Sequence, residues 1–263
     1  MELIRLGIGD LALASCLILG LALLSWRLRL GIESQLLINS SRTIVQLTLV
    51  GLVLKFLFDN ANLLWVILLC LFMLGMAGYE VQARQQHRYR GGWGYGIGTL
   101  SMLLSSFTIT LFALLILVGP QPWYAPQYSI TLLGMLLGNT MSGIAIALNQ
   151  LTQSVISQRG VIEAQLLLGR DWNEAISELR RQALRSGVIP IINAMAAAGI
   201  ISLPGMMTGQ ILAGSPPLEA AKYQILIMLL IAAGTGFGAV AAVWLASQRL
   251  FDERQRLRLD RLT

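Results

Sequence analysis

The sequence predicts an all-α, polytopic membrane protein with about seven transmembrane helices, N-terminus outside and C-terminus in the cytoplasm, and three observations carry that prediction. The chain is 56% hydrophobic and only 12% charged, with a mean hydropathy of +0.69, where a soluble domain carries about 25% charged residues. Its apolar residues gather in blocks of about twenty, the length a helix needs to cross a hydrocarbon core about 30 Å thick. Its basic residues fall on alternate loops, which sets an orientation.

Seven blocks meet the length requirement: 8 to 26, 41 to 58, 62 to 82, 97 to 118, 128 to 149, 188 to 212 and 223 to 247. Each has to be helical, because an open strand in lipid leaves backbone amides unpaired. Of the nineteen basic residues, Arg27, Arg29 and Arg42 flank the first loop and Arg84, Arg88 and Arg90 the third. Arg159, Arg170, Arg180, Arg181 and Arg185 lie in the fifth loop, and Arg249, Arg254, Arg256, Arg258 and Arg261 in the tail. Only Arg5, Lys55 and Lys222 take the other side. The odd loops and the tail are therefore expected in the cytoplasm. The pI of about 9.8 follows from this asymmetry, so membrane lipid rather than nucleic acid is the expected surrounding. Residues 1–263 read as one transmembrane domain, with 151–187 as a cytoplasmic helical loop inside it.

Leu13-Ala14-Ser15-Cys16 has the form of a lipoprotein cleavage box, but the apolar run continues from Leu17 to Leu24, where a mature lipoprotein turns polar; an uncleaved first helix is expected. The second cysteine, Cys70, falls mid-block, so no disulfide framework is implied.

What is missing narrows the class. No G-x-x-x-x-G-K-[ST] phosphate loop occurs, since the only lysines are Lys55 and Lys222, so the chain is not expected to hold ATP by that route. Lys222 stands at the entrance of the last block, not at its middle, where a retinal protein places its Schiff-base lysine. Asp10, Asp59 and Glu80 fall near block ends and His87 lies in a loop, which leaves no proton relay at membrane depth. No carboxylate pair, His/Cys cluster or H-E-x-x-H appears, so no catalytic residue is assigned and no metal ligand named. A transporter driven from outside its own sequence fits best.

The fifth loop is long and rich in helix signals. Val161, Ile162, Ala164, Gln165 and Leu168 give a short helix with an apolar face, and Gly169 is placed to end it in the left-handed conformation. Asp171 with Glu174 is expected to cap a second helix through a capping box. In that helix Trp172, Ala175, Ile176, Leu179, Ala183 and Leu184 share a face, and it leads into the membrane at Ile189-Pro190. Glu163 to Gly169, EAQLLLG, resembles the start of the EAA loop of ABC import permeases, although no I-x-L-P follows at the usual distance. That resemblance implies an ATPase contact at Glu163, Ala164, Leu167 and Gly169; an amphipathic helix lying on the bilayer is the other reading.

Two blocks carry more small and polar residues than lipid requires. The fifth places Asn139, Thr140, Met141 and Ser142 near mid-depth, beside a Gly134/Gly138 frame. In the sixth, Pro204-Gly205 has to bend or break the helix. On a continuous helix Ser202, Met206 and Gln210 form one stripe, with Met207 beside it. A wall of a substrate path and tight helix packing are both open readings for these residues. Gly94/Gly98 and Gly234/Gly238 read as packing frames, and Asn39, Arg42, Thr43 and Gln46 as a polar face of the second block.

GIISLPGMMTGQILAG (Gly199 to Gly214), AAKYQI (Ala220 to Ile225), LLGMLLGNTMSGIAIALNQL (Leu132 to Leu151) and SRTIVQLTLVGLVLKFLF (Ser41 to Phe58) resemble segments of the bacterial Fet-type iron-export permeases, whose plant relatives are aluminium-tolerance proteins. The resemblance covers nearly the whole chain. It implies a multi-pass permease of the bacterial inner membrane, a homodimer paired with a separate ATP-binding cassette ATPase that holds ATP and Mg, and export of iron or another metal. The plant branch, linked to sugar nucleotides as well as metals, keeps a sugar nucleotide or a metal complex open as cargo. An ATP-independent channel or facilitator is the rival mechanism.

Overall fold

The computed structural model describes residues 7–59 and 62–263; Arg5 lies outside them. Apart from isolated bridges, the regular structure of the described chain is all helical, joined by turns and short loops. α1 (Ile8–Arg27) and α2 (Glu33–Asp59) form a hairpin, joined by the Ser25 hydroxyl donating to the Glu33 carboxylate at 3.1 Å. α3 (Leu63–Ala83) begins where the Asn62 side chain accepts from the Leu64 N–H at 2.9 Å, which satisfies one orphan donor of the first turn.

The next span, Trp93–Val118, is one helix with two wide turns. α4 (Trp93–Met102) and α5 (Thr108–Phe112) are each followed by a π-turn, at Leu103–Phe107 and Ala113–Val118. Buried Ser105 and Thr110 hydroxyls return to carbonyls one turn back, those of Ser101 and Ser106. Proline opens the two longest helices, α6 (Pro126–Ser157) and α11 (Pro217–Leu250), at the one position where its missing N–H costs nothing.

α6 and α11 cross at the centre of the bundle, with α3 and α9 (Ser177–Ala197) against them. Small residues permit this approach. A Cβ on Gly238 of α11 would stand 2.6 Å from Thr140 Cγ2 and 2.9 Å from Ser105 Oγ, and one on Gly187 of α9 would stand 2.7 Å from the Gly143 carbonyl. A Cβ on Gly98 would stand 3.0 Å from Val81 Cγ1. The α1–α2 hairpin is peripheral, and Leu57 is the one α2 residue that is buried.

Among the described residues, six helices are long and apolar enough to cross a membrane, against seven blocks expected. The exception is the block at 188 to 212, and the expectation of one continuous crossing there is corrected. α9 runs unbroken through Pro190 but stops at Ala197. The chain then turns through Gly199 at φ +80°, with the Gly199 N–H on the Ser202 carbonyl at 2.9 Å, and restarts at Pro204 as α10 (Gly205–Leu212). The proline was legible as a break; the left-handed glycine five residues earlier turns the bend into a gap. α9 and α10 together still carry the chain from the end of the bundle near Ser157 to the end near Tyr128, because Gln210 shares a cavity with Tyr128.

Between α6 and α9 lie α7 (Arg159–Leu167) and α8 (Trp172–Ala175). Gly169 follows α7 at φ +86°, as its position predicts. The capping box expected at Asp171 does not form: the Asp171 side chain makes no cap bond, and the Trp172 N–H donates to the side-chain amide oxygen Oε1 of Gln255 at 3.1 Å. The helix breaks at Ile176, which is fully buried, while Trp172 stacks on Phe251 at 5.3 Å. Burial of two large apolar groups sets this turn, not the cap.

The tail folds back on the bundle. The Arg90 N–H donates to the Arg261 carbonyl at 2.8 Å, and the Thr263 N–H to that of Arg88 at 2.8 Å. Within the tail the Arg258 guanidinium grips Asp260 through two bonds of 2.8 Å and holds its carboxyl down at about 2.

Candidate functional site

α6 has two faces of different character. At about 100° per residue, Thr131, Met135, Asn139, Ser142, Asn149 and Gln153 fall within roughly 80° of arc. None of the six is buried, whereas Leu133, Leu136, Thr140, Gly143, Ile144 and Ala147 on the other side all are. The first face is thus a mainly polar strip, interrupted by Ile146, running the length of a membrane-spanning helix; Thr131 and Asn139 are exposed and the other four are only partly covered by the protomer.

At the far end from the tail, the strip opens into a cavity of about 290 Å3. Met135 and Thr131 of α6, Met206 and Gln210 of α10, and Tyr223 of α11 line it. The Gln210 side-chain amide oxygen is buried there without a hydrogen-bond partner. Met207, on the other side of α10, lines a second cavity of about 380 Å3 with Met195, Met228 and Pro204, and its N–H donates to the side-chain amide oxygen of Gln224 at 3.3 Å.

In the middle, the exposed Asn139 amide donates to the Met135 carbonyl at 2.8 Å. Ser142 donates to the Gly138 carbonyl and accepts from Arg84 at 3.3 Å. Arg84 belongs to a chain of charges: Arg42 of α2 meets Glu80 of α3 at 2.7 Å, and Arg84 approaches the same carboxylate at 3.8 Å. Two guanidiniums therefore share one carboxylate where α2, α3 and α6 converge. Toward the tail the strip ends on amides, with the Gln86 N–H donating to Asn149 at 3.1 Å and Gln153 donating to Gln86 at 2.5 Å.

The residues singled out from the sequence do not form one group. Asn139 and Ser142 share the strip, and Met206 and Gln210 share its far cavity. Thr140 points the opposite way, fully buried against Gly234 and Gly238, and its hydroxyl has no partner. Met141 packs into the core beside it. Ser202 sits in the gap between α9 and α10, so the expected continuous Ser202/Met206/Gln210 stripe is corrected to a Met206/Gln210 pair. Pro204 is the N-cap of α10.

Sequence reasoning missed Glu80, Arg84, Gln86, Asn149, Gln153 and Tyr223. The α6 pair was available by extending the 3–4 spacing past residue 149, where hydropathy ends but the helix does not. Glu80, Arg84 and Gln86, at the end of α3 and just beyond it, were not, because their contacts reach across 38 to 67 positions in sequence.

α7 presents a second surface. Ile162 is buried and Leu166 partly so, which anchors the helix, while Val161, Ala164 and Leu168 face outward with Leu167. Leu167 and Leu168 are 88% and 84% exposed. Glu163 is half-buried and bonds Arg159 at 2.7 Å. Among the described residues, no three His, Cys, Asp or Glu side chains converge to hold a metal ion.

The model of the uncharacterised protein family UPF0014 matches residues 8–251. The chain belongs to that family. Among UPF0014 relatives, the membrane protein slr1647 of Synechocystis is 38% identical over 239 residues, 90% of each chain. Protein ALUMINUM SENSITIVE 3 of Arabidopsis thaliana is 32% identical, covering 94% of this chain and 88% of its own. The Escherichia coli protein named "Probable iron export permease protein FetB" is 32% identical, covering 96% and 95%. No solved structure matches. This UPF0014 member is thus a multi-pass, all-α membrane protein with six continuous candidate spans and one interrupted helix pair.

Proposed function

We propose that the chain is the permease subunit of an ABC-type exporter, paired as a homodimer with two copies of a separate ATPase and moving iron or another metal out of the cytoplasm. The observation that carries this reading is the polar strip of α6, which the protomer covers only in part and leaves open at Thr131 and Asn139. An amide such as Asn139 facing hydrocarbon loses its hydrogen bonds to water at a cost of about 2–7 kcal/mol, so the strip calls for water or a second copy opposite it. A water-lined path between two protomers supplies both. In a bacterial inner membrane the basic tail end is cytoplasmic, which puts α7 on the side where an ATPase docks, with Leu167 and Leu168 free to enter a groove on it and Glu163, Ala164 and Gly169 beside them. ATP and Mg2+ belong to that partner. FetB's printed name supports the permease and iron assignments by similarity alone.

The strip offers amide, hydroxyl and thioether groups, with guanidinium near the tail end. These suit transient passage of a hydrated or complexed metal rather than a tight dehydrated site, because iron prefers carboxylate, imidazole or thiolate.

Co-purification with a co-expressed ATP-binding cassette ATPase tests the proposal. The double variant Leu167→Asp, Leu168→Asp is expected to weaken association at least tenfold, about 1.4 kcal/mol, and to abolish permease-dependent ATP hydrolysis, while the protein still melts at its normal temperature in detergent. Full association of the double variant would defeat the docking assignment. Glu163→Arg is a weaker probe, because it also breaks the bond to Arg159.

A further inference from the structure

A groove of about 570 Å3 lies between α4 and α11 at the tail end of the bundle, away from the α6 strip. Its walls toward the bilayer are Leu100 and Leu245. Gly96 leaves its floor open, since a Cβ there would find nothing within 4 Å. Its head is cationic: the Arg249 guanidinium lies 4.4 Å above the exposed Trp93 ring, and Arg261 stands beside it, donating to the Arg249 and Phe251 carbonyls at 2.8 and 3.1 Å.

The carboxylates of the tail offset this pair only in part: Asp260 is near enough to attract both Arg249 and Arg261, but its bonds go to Arg258, so three guanidiniums surround one carboxylate. Asp252 bonds Arg256 at 2.7 Å and Asp260 bonds Arg258 at 2.8 Å, and Glu253 is exposed and pairs with no described cation. Arg249 and Arg261 enter no ion pair among the described residues. Each guanidinium retains N–H donors in a planar fork suited to phosphate oxygens.

We propose that this groove is a binding site for an anionic phospholipid of the leaflet on the tail side, with its phosphate at Arg249 and Arg261 and an acyl chain along Gly96, Leu100 and Leu245. The combination requires an amphipathic occupant. A free anion would use the guanidiniums and leave the apolar groove empty, and a neutral lipid would fill the groove and leave the excess positive charge of the cluster unbalanced. Trp93 stands where indole rings favour the headgroup region, so the groove runs from the interface into the hydrocarbon. The site also touches the segment that holds α8, through the Gln255 bond to Trp172, so lipid binding is expected to raise the melting temperature of the tail-docked protein. The proposal does not depend on the cargo or on the ATPase.

Delipidated full-length protein in a non-ionic detergent, examined by native mass spectrometry and thermal melting, provides the test. Phosphatidylglycerol is expected to be retained and to raise the melting temperature, and phosphatidylcholine is not. Arg249→Gln should weaken phosphatidylglycerol binding by about fivefold, the share of one arginine at an anionic surface. Gly96→Leu, which fills the groove and leaves the charges intact, should weaken it as much, while Arg27→Gln, a basic residue elsewhere at the same membrane side in the proposed topology, should leave it unchanged. Equal retention of the two lipids, or equal loss with Arg27→Gln, overturns the site. Competition by millimolar inorganic phosphate without lipid overturns the lipid assignment in favour of a simple anion site.

Discussion

The two faces of α6 are built from similar residues and do opposite things. One carries Thr140 and Gly143, the other Gly138, Asn139 and Ser142, and in sequence they are interleaved. On the first face each small residue is met by a complementary one: Thr140 by Gly234 and Gly238, Gly143 by Gly187 and Thr235. On the second, Gly138 has nothing within 4 Å of where a Cβ would lie, and the polar side chains bond carbonyls of their own helix or the charged end of α3. Small polar residues in a membrane helix therefore have two uses, closing a helix crossing and lining an opening. What separates the uses is whether another backbone comes close enough to require the missing side chain.

The largest expected effect tests the closed face with a change that is harmless on the open one. Gly238→Ala places a methyl 2.6 Å from Thr140 Cγ2, and overpacking of this kind costs roughly 1–3 kcal/mol. Gly138→Ala meets open space and gains helix propensity, worth about 1 kcal/mol in a soluble helix. Melting of the two variants in detergent should move in opposite directions. A shared loss would mean that Gly138 is packed in the functional assembly, with a second copy on the strip at that level.

An intermediate effect sharpens the comparison for function. Asn139→Leu should lower ATP-driven metal efflux from vesicles by about tenfold, ~1.4 kcal/mol of barrier, with little change in melting. Thr140→Val, one residue away and of the same shape, removes a hydroxyl that has no partner and should leave efflux normal while holding or raising stability. Equal loss of efflux in both would erase the distinction between the faces.

The smallest effect belongs to the far cavity. Met206→Leu keeps the volume and loses only the thioether, so efflux should stay within about twofold of normal and stability within about 1.5 kcal/mol. Abolished efflux here, with Asn139→Leu normal, would replace the hydrated path by a thioether-ligated metal site.

How far the sequence could be read differs along the chain for definable reasons. Hydropathy located six of the seven blocks as continuous helices, because twenty apolar residues in a row have one solution in lipid. It misjudged the ends of α6, which extends to Ser157, since a helix leaving the membrane keeps its hydrogen bonds while its composition turns polar. Gly169 was legible because a left-handed residue after a helix is a local matter. The capping box at Asp171 failed because tertiary burial of Ile176 and the Trp172–Phe251 stack outweighed one local hydrogen bond.

The sequence by itself determined the class, six of the helical spans to within their ends, the charge asymmetry and the chemical types available to a path, all of which follow from composition and local spacing. Only the tertiary structure decided that Thr140 closes a crossing while Asn139 and Ser142 line an opening, and that Arg42, Glu80, Arg84 and Ser142 meet. It also decided that Met206 and Met207 face different cavities. The physical reason is that a helix offers all its faces equally until neighbouring helices cover some of them, and which faces they cover depends on steric fit between segments far apart in the chain.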